Sequence, residues 1–143
     1  MTASTECTVF KYTQKETGRR KAAHVLCRSD IVFAAVQVVR SGGETNLHSH
    51  GKLDGFWFVL RGAARFYTTD DEVLAELSAE EGILIPRGYP YWFESVGSEV
   101  LELLQVEASV TQYDTVRGFG EDRTDYTPRT TRDSDVMVLK DEA

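Results

Sequence analysis

The sequence predicts an all-β domain, a sandwich or barrel built from many short strands. Segments rich in β-branched and aromatic residues recur along the chain up to about residue 110. Short turn signals separate them, among them Ser41-Gly42-Gly43 and Gly97-Ser98. The length is the third observation, because 143 residues with 41% hydrophobic content fit one domain with its own core.

The predicted strands follow one another closely in the sequence. The first three are Thr8–Thr13, Ala22–Arg28 and Ile31–Val39, which polar or glycine-containing breaks separate. The later ones, in chain order, have the sequences TNLHSH, GFWFVLRG, ARFYTT, EVLAELS, GILIPRG, YWFESV and EVLELLQVEA. Such regular spacing of short strands is typical of a barrel or sandwich.

One segment, Asp70–Glu81, also contains good helix formers, and Leu74 and Leu77 lie three residues apart as on a helix. However, Val73, Ala75 and Leu77 alternate as on a strand. We favour a hairpin strand, because the segment lies between two strong strands with short turns.

Composition divides the chain into three parts. We expect residues 1–30 to form N-terminal strands that pack on a barrel, and residues 31–110 to form the barrel core. After about Thr111 the sequence is rich in charges, Thr, Gly and Pro, so residues 111–143 are predicted to form a partly irregular C-terminal arm. Within it, Val136–Leu139 could add an edge strand to the barrel or to a partner subunit.

The charge balance argues against nucleic acid as a partner. The formal net charge is −7, and no basic run with interleaved aromatic residues occurs. No segment reaches the roughly 20 apolar residues of a membrane span, and no signal peptide is visible, so we expect a cytoplasmic protein. The two cysteines, Cys7 and Cys27, do not make a disulfide framework and are expected to be reduced thiols.

The clearest candidate for a functional site is a pair of histidines. His48 and His50 lie one residue apart, just before a dense apolar strand. Because residues i and i+2 of a strand point to the same face, both imidazoles can converge on one point. Imidazole is the commonest metal ligand, so the pair can form half of a first coordination shell.

In this region the chain resembles the cupin superfamily. Gly42, His48, His50 and Gly62 match the spacing of the first cupin motif, and Pro86-Arg87-Gly88 matches the second. The resemblance implies a single antiparallel β-barrel or jelly roll, with an N-terminal strand extension and an irregular C-terminal arm.

The chain also departs from the cupin motifs. The family's glutamate falls on Gly55, while the neighbouring Asp54 carries a carboxylate; the family's third histidine falls on Tyr91 and its asparagine on Ser95. The ligand set that the resemblance implies is therefore reduced to the histidine pair, with Asp54 and Tyr91 as substitutes.

Both substitutes have an alternative role. Asp54 could supply a carboxylate if Gly55 permits a bulge that turns it inward, or it could be a turn residue that caps local backbone. A phenol is a poor ligand near neutral pH, because its pKa is about 10. Tyr91 is therefore either a hydrogen-bond partner, a general acid or base, or an aromatic residue that lines the barrel.

The surrounding residues suit a small organic ligand. Trp57 and Phe93 share the strand parity of Tyr91, which predicts an aromatic lining, although a well-filled barrel interior has the same composition. Gln105 and Arg40 are the polar side chains that we expect to contact such a ligand.

We predict a small metalloenzyme that holds a divalent metal (Fe, Mn, Ni or Zn) at His48 and His50. Its substrate would carry a carbonyl or enol group, and its reaction would be that of an oxidoreductase such as a dioxygenase, or of an isomerase. Two alternatives remain: a non-catalytic module that binds a small molecule, and a metal-independent sugar isomerase or epimerase in which a histidine is the base and Tyr91 the acid. The resemblance also implies a homodimer, because cupin barrels often pair through their sheets.

Overall fold

The computed structural model describes residues 6–14, 18–40, 45–111, 122–128 and 137–140. The strands in these ranges are β1 (Lys21–Arg28), β2 (Val32–Val39), β3 (His48–His50), β4 (Leu53–Arg61), β5 (Ala63–Tyr67), β6 (Val73–Leu77), β7 (Gly82–Ile85), β8 (Trp92–Val96), β9 (Leu101–Ser109), β10 (Arg123–Asp125) and β11 (Met137–Lys140). A single 3₁₀ turn, Thr69–Asp71, precedes β6. Within the described ranges, no helix is long and apolar enough to cross a membrane.

The strands form three sheets. The largest has the order β11-β1-β2-β9-β4-β7, the second has the order β6-β5-β8, and β10 pairs with β3. All pairs are antiparallel except β1 with β11, which is parallel. The predicted all-β class is confirmed, although the three sheets do not join into one closed barrel among the described residues.

The hydrophobic core lies between the six-stranded and three-stranded sheets. Its fully buried members come from both, with Val59 and Leu103 on β4 and β9 and Phe66 and Phe93 on β5 and β8. Strand β4 follows the period of two that one buried face requires, since Leu53, Gly55, Trp57 and Val59 are buried while residues between them are more exposed. This alternation decides which side chains reach the interior.

Gly62 ends β4 at a close approach between two segments. Its φ is +83°, and a Cβ at this position would lie 2.6 Å from the carbonyl oxygen of Val100. Only glycine meets both conditions without a shift of the backbone. The cupin-like glycine at this position therefore has a structural reason.

The hairpin over Asp70–Glu81 is confirmed, because β6 pairs with β5. The strand over Thr8–Thr13 is wrong: this segment has no regular structure. Instead, the Tyr12 hydroxyl donates to the Glu102 carboxylate, and its ring packs edge-on against His24 with centroids 5.4 Å apart. The segment is held against the outer face of the large sheet by side chains.

The C-terminal part contains more regular structure than expected. β10 and β11 both lie within residues 111–143, and β11 adds to the edge of the large sheet beside β1. This pairing confirms the predicted edge strand. Two residues named above, Val136 and Gly42, lie outside the described residues. The division at residues 30 and 110 stays a prediction. Cys7 and Cys27 are free thiols.

Candidate functional site

Strand β3 carries both histidines and is held between two partners. Residues 48–50 pair with Arg123–Asp125 of β10. On the other side, the His48 N–H donates to the Tyr91 carbonyl at 3.1 Å and the Tyr91 N–H donates to the His48 carbonyl at 2.9 Å. The two segments that resemble cupin motifs are thus joined directly through their backbones.

The two imidazoles each use Nδ1 in a hydrogen bond. His48 Nδ1 lies 2.7 Å from the carbonyl oxygen of Asn46, and because a carbonyl only accepts, this nitrogen carries the proton. His50 Nδ1 lies 3.2 Å from Oδ1 of Asp122, whose Oδ2 accepts from the Lys52 N–H at 2.7 Å. The ring centroids are 5.3 Å apart and the ring planes are nearly perpendicular.

Burial decides the charge state of His50. Desolvation lowers its pKa below the usual value, and it outweighs the opposing effect of Asp122. His50 is therefore a neutral imidazole near pH 7. With a proton on Nδ1 for Asp122, its Nε2 carries the lone pair.

Tyr91 is buried beside the histidines. Its ring centroid lies 4.5 Å from that of His48. Burial, and then the charge of Glu107, raise the pKa of its phenol far above the usual value, although a hydrogen bond with Trp57 lowers it. The phenol stays protonated at all physiological pH values and can act as a hydrogen-bond donor.

Glu107 is a residue of this site that the sequence analysis missed. It lies on β9 opposite Gly55 and is only 5% exposed. Its Oε1 accepts a hydrogen bond from Gln105 Nε2 at 2.9 Å. Desolvation raises its pKa from 4.5 to about 7, and the charges of Asp122 and Arg123 act in opposite directions. Glu107 is one of two glutamates in this strand, and only the register reveals that it faces Gly55.

These groups border one small pocket. Its lining residues are His50, Leu53, Gly55, Ile85, Pro86, Tyr91 and Glu107. The empty volume is about 200 Å³, with the opening to solvent included. Because this figure includes space that is open to solvent, the enclosed part of the pocket is smaller and suits only a small molecule.

Asp54 lies away from the pocket. Its Oδ1 accepts from the Arg87 N–H at 2.9 Å, and Arg87 Nε lies 3.7 Å from the same oxygen. The carboxylate is 42% exposed, and strand alternation puts it on the opposite face of β4 from Gly55. Asp54 is thus a strand residue whose carboxylate bonds the backbone of a distant segment, which differs from the local turn cap of the first alternative, and its use as a metal ligand stays a prediction.

The predicted ligand-contacting residues have mixed positions. Trp57 and Phe93 are buried in the core with ring centroids 5.2 Å apart, and they do not line the pocket. Gln105 supports Glu107 from behind. Arg40 is also absent from the lining, and its Nε donates to the carbonyl of Arg19 at 3.2 Å.

The residues described by the structure do not complete a metal site. Among them, no three His, Cys, Asp or Glu side chains are grouped so that they could hold a metal ion. His48 and His50 offer two imidazoles, whereas protein metal sites of this type use at least three protein ligands. The described donor set therefore has fewer ligands than the divalent metal implied by the cupin resemblance would need.

Comparison with known proteins agrees with the fold. The family model for the cupin domain matches residues 35–107, and no curated protein matches the chain. An uncharacterized conserved protein with a double-stranded β-helix domain from Klebsiella pneumoniae has a TM-score of 0.64 and 22% identity, covering 79% of this chain and 93% of that one.

Two further solved structures are similar to this chain. KdgF from Halomonas sp. has a TM-score of 0.61 and 13% identity, covering 78% of this chain and 99% of that one. An RmlC-like cupin protein from Desulfovibrio desulfuricans has a TM-score of 0.57 and 17% identity, covering 73% and 96%. At such identities the likeness extends to the fold alone.

Proposed function

The chain belongs to the cupin-domain family, and from that premise we propose that it is an enzyme that moves a proton on a small substrate bearing a carbonyl group. The observation that carries the proposal is the His50–Asp122 pair at the wall of a pocket that Tyr91 also lines. A base fixed by a carboxylate and a neutral phenol in one pocket are the parts that enolisation needs.

His50 is the base in this proposal. Its buried imidazole is neutral, and Asp122 keeps the proton on Nδ1, so that Nε2 can accept a proton from the carbon next to the carbonyl. The electron pair of that C–H bond moves to the carbonyl oxygen and gives an enolate. Return of a proton to the same carbon restores the carbonyl group and completes an exchange or an epimerisation without any redox step.

Tyr91 stabilises the charge that develops on the substrate oxygen. Its phenol remains protonated because burial raises its pKa, so it can donate a hydrogen bond to the enolate. Such donors are worth more in a site from which water is excluded. This division of roles is the metal-independent alternative of the sequence analysis, with His50 rather than His48 as the base.

A divalent-metal enzyme is the second candidate. One observation favours it: both rings have Nδ1 bound to an oxygen acceptor, as metal-binding histidines commonly do. Because the described donor set stops at two imidazoles, we derive no step through a metal. A non-catalytic module that binds the same ligand is the third candidate.

Deuterium incorporation tests the proposal. The protein is incubated in D₂O with a panel of small ketones, hydroxyketones and 2-oxoacids, and NMR follows the loss of protons next to the carbonyl. We compare the wild type with His50→Gln and Asp122→Asn. Asp54→Asn is the matched control, because its carboxylate lies on the other face of β4.

We expect incorporation to fall by about 10²-fold or more in His50→Gln, the usual range for loss of a general base. Asp122→Asn should reduce it less, and Asp54→Asn should leave it unchanged. Incorporation should also survive exhaustive chelation. Failure of the wild type to exchange any compound would refute the proposal. Loss of exchange on chelation, with recovery on adding Fe, Mn, Ni or Zn, would favour the metal enzyme.

A further inference from the structure

A carboxylate reaches the pocket from a strand that the cupin motifs do not include. Gly55 stands where the family carries a glutamate, and Glu107 lies directly opposite on β9. A Cβ built at residue 55 would lie 3.4 Å from Glu107 Cγ and 3.9 Å from Glu107 Oε2. The Glu107 side chain therefore lies over Gly55 and would contact any side chain at that position.

A chain of amides orients this carboxylate. Gln37 Nε2 donates to Gln105 Oε1 at 3.0 Å, and Gln105 Nε2 donates to Glu107 Oε1 at 2.9 Å. Because Gln105 uses its oxygen on one side and its nitrogen on the other, its amide cannot turn over without losing both bonds. Oε1 is thereby held on the Gln105 side, and Oε2 remains on the side of Gly55 and the pocket.

A purely structural role explains Glu107 poorly. On the inward face of β9, Gln105 is next to Glu107, and beyond it Leu103 and Leu101 are fully buried leucines of the core. Burying a carboxyl group among them is unfavourable unless its oxygens are hydrogen-bonded. A ligand in the pocket can donate a hydrogen bond to Oε2.

We propose that Glu107 is the specificity-determining residue of the pocket, and that Oε2 accepts a hydrogen bond from a hydroxyl group next to the substrate carbonyl. This inference rests on the proposed function, and it narrows the substrate class to small α-hydroxycarbonyl compounds. A site built to bind a hydroxyl group rejects an analogue that lacks it more strongly than an apolar pocket rejects a missing methyl group.

A matched pair of probes tests the inference. Hydroxyacetone and butanone have the same chain of heavy atoms, with a hydroxyl group in the first where the second has a methyl group. NMR titration gives the dissociation constant of each for the wild type. We expect hydroxyacetone to bind at least about tenfold more tightly, the lower end for a lost hydrogen bond to a charged group.

Two variants test whether the preference for hydroxyacetone over butanone depends on Glu107. Glu107→Leu removes the acceptor and should bring the two dissociation constants together. Gln105→Leu keeps the carboxylate but removes the bond that holds Oε1, so it should reduce the preference; it decides the question even if Glu107→Leu does not fold. Glu99→Gln, which changes an exposed carboxylate paired with Arg61, is the control and should keep the preference.

The outcomes separate this inference from the proposed function. Equal affinities in the wild type, or no binding of hydroxyacetone up to its solubility limit, would overturn the role of Glu107. Deuterium incorporation into both probes at equal rates would also overturn it, while leaving proton transfer intact. Selective binding of hydroxyacetone without deuterium incorporation would support Glu107 and refute the enzyme.

Discussion

Glu107 lies in surroundings that oppose its ionisation. Burial raises its pKa from 4.5 to about 7, the bond from Gln105 acts against this, and Asp122 and Arg123 face it with opposite charges. In the unfolded chain the group would titrate near the ordinary glutamate value. Folding therefore favours the protonated form of this side chain.

The first prediction concerns this pKa. Because the folded pKa is raised, the contribution of Glu107 to stability is fully present below about pH 4.5 and is lost as the pH rises to about 7. Glu107→Gln removes this titration. The free energy of unfolding of the variant, relative to the wild type, should rise by about 2 kcal/mol between pH 5 and pH 8.

Urea denaturation at both pH values measures this change, and Glu80→Gln at an exposed position is the control. A pH-independent difference between Glu107→Gln and the wild type would show that the carboxyl group does not titrate in this range.

The second prediction compares two glycines with similar dihedral angles. Gly62 and Gly88 have φ values of +83° and +78°, but a Cβ at Gly62 would clash with Val100 whereas nothing lies within 4 Å of one at Gly88. Gly88→Ala should cost about 1 kcal/mol for the left-handed backbone alone, and Gly62→Ala should cost several kcal/mol. Thermal unfolding measures both, and equal losses would contradict the steric argument.

At this scale the sequence predicted the histidines and Tyr91 as neighbours, and their contacts support that prediction. The sequence interpretation assigned the missing carboxylate to Asp54, because motif spacing identifies only residues that are close together in the sequence. Glu107 comes from another strand, and its position depends on the β4–β9 register, which no local pattern specifies. Asp122 was missed for the same reason.

At the scale of elements, β10 holds β3 in place through side chains as well as backbone. Asn46 Nδ2 donates to Asp125 Oδ1 and to the Thr127 carbonyl, both at 2.9 Å, and Asn46 Oδ1 accepts from Arg123. Ser49 and Tyr126 hydroxyls lie 2.8 Å apart in the same region. A three-residue strand has few ladder bonds of its own, so these contacts fix its position.

The third prediction follows from this network. Asn46→Ala removes three hydrogen bonds of a buried side chain and should cost about 1–3 kcal/mol. The loss should be local: amide hydrogen exchange should accelerate in β3 and β10 and stay nearly unchanged in β2 and β9. Thr124→Ala, at an exposed position of β10, is the control. Uniform acceleration over the large sheet would contradict a local role.

The elements themselves were largely predictable from composition and turn signals. From Ala22 to Ser109 nearly every expected strand is present, because alternation and β-branched residues coincide there. The prediction of a strand over Thr8–Thr13 is wrong because β-propensity describes how well a residue fits a half-buried pleated surface. Val9 in this segment is 92% exposed. The contacts of Tyr12 with Glu102 and His24, which the sequence does not reveal, hold this segment against the sheet.

At the scale of the whole molecule, the large sheet has an apolar area on its outer face. Phe56 on β4 and Leu84 on the edge strand β7 are directly paired and are 41% and 65% exposed. Exposed apolar neighbours of this size often mark an interface. The position of the pair agrees with the predicted homodimer through the sheets.

The fourth prediction is that the protein is a dimer at micromolar concentration, and that Leu84→Lys weakens it. A buried lysine without a partner opposes association, so the variant should elute and scatter light as a monomer. Val73→Lys is the control, because Val73 is also half exposed but lies on the three-stranded sheet. A monomeric wild type in light scattering would refute the dimer.

The pairing of β3 with β10 also bears on the order of events during folding. His50 pairs with Asp122, which lies 72 residues further along the chain. Closing so long a loop is entropically costly and slow. The large sheet, apart from β11, requires only residues that precede β10. A growing chain can therefore form most of its core while the pocket still lacks Asp122, the carboxylate that orients the proposed base. The proposed proton transfer should therefore become possible last, when the late-synthesised segment pairs with β3.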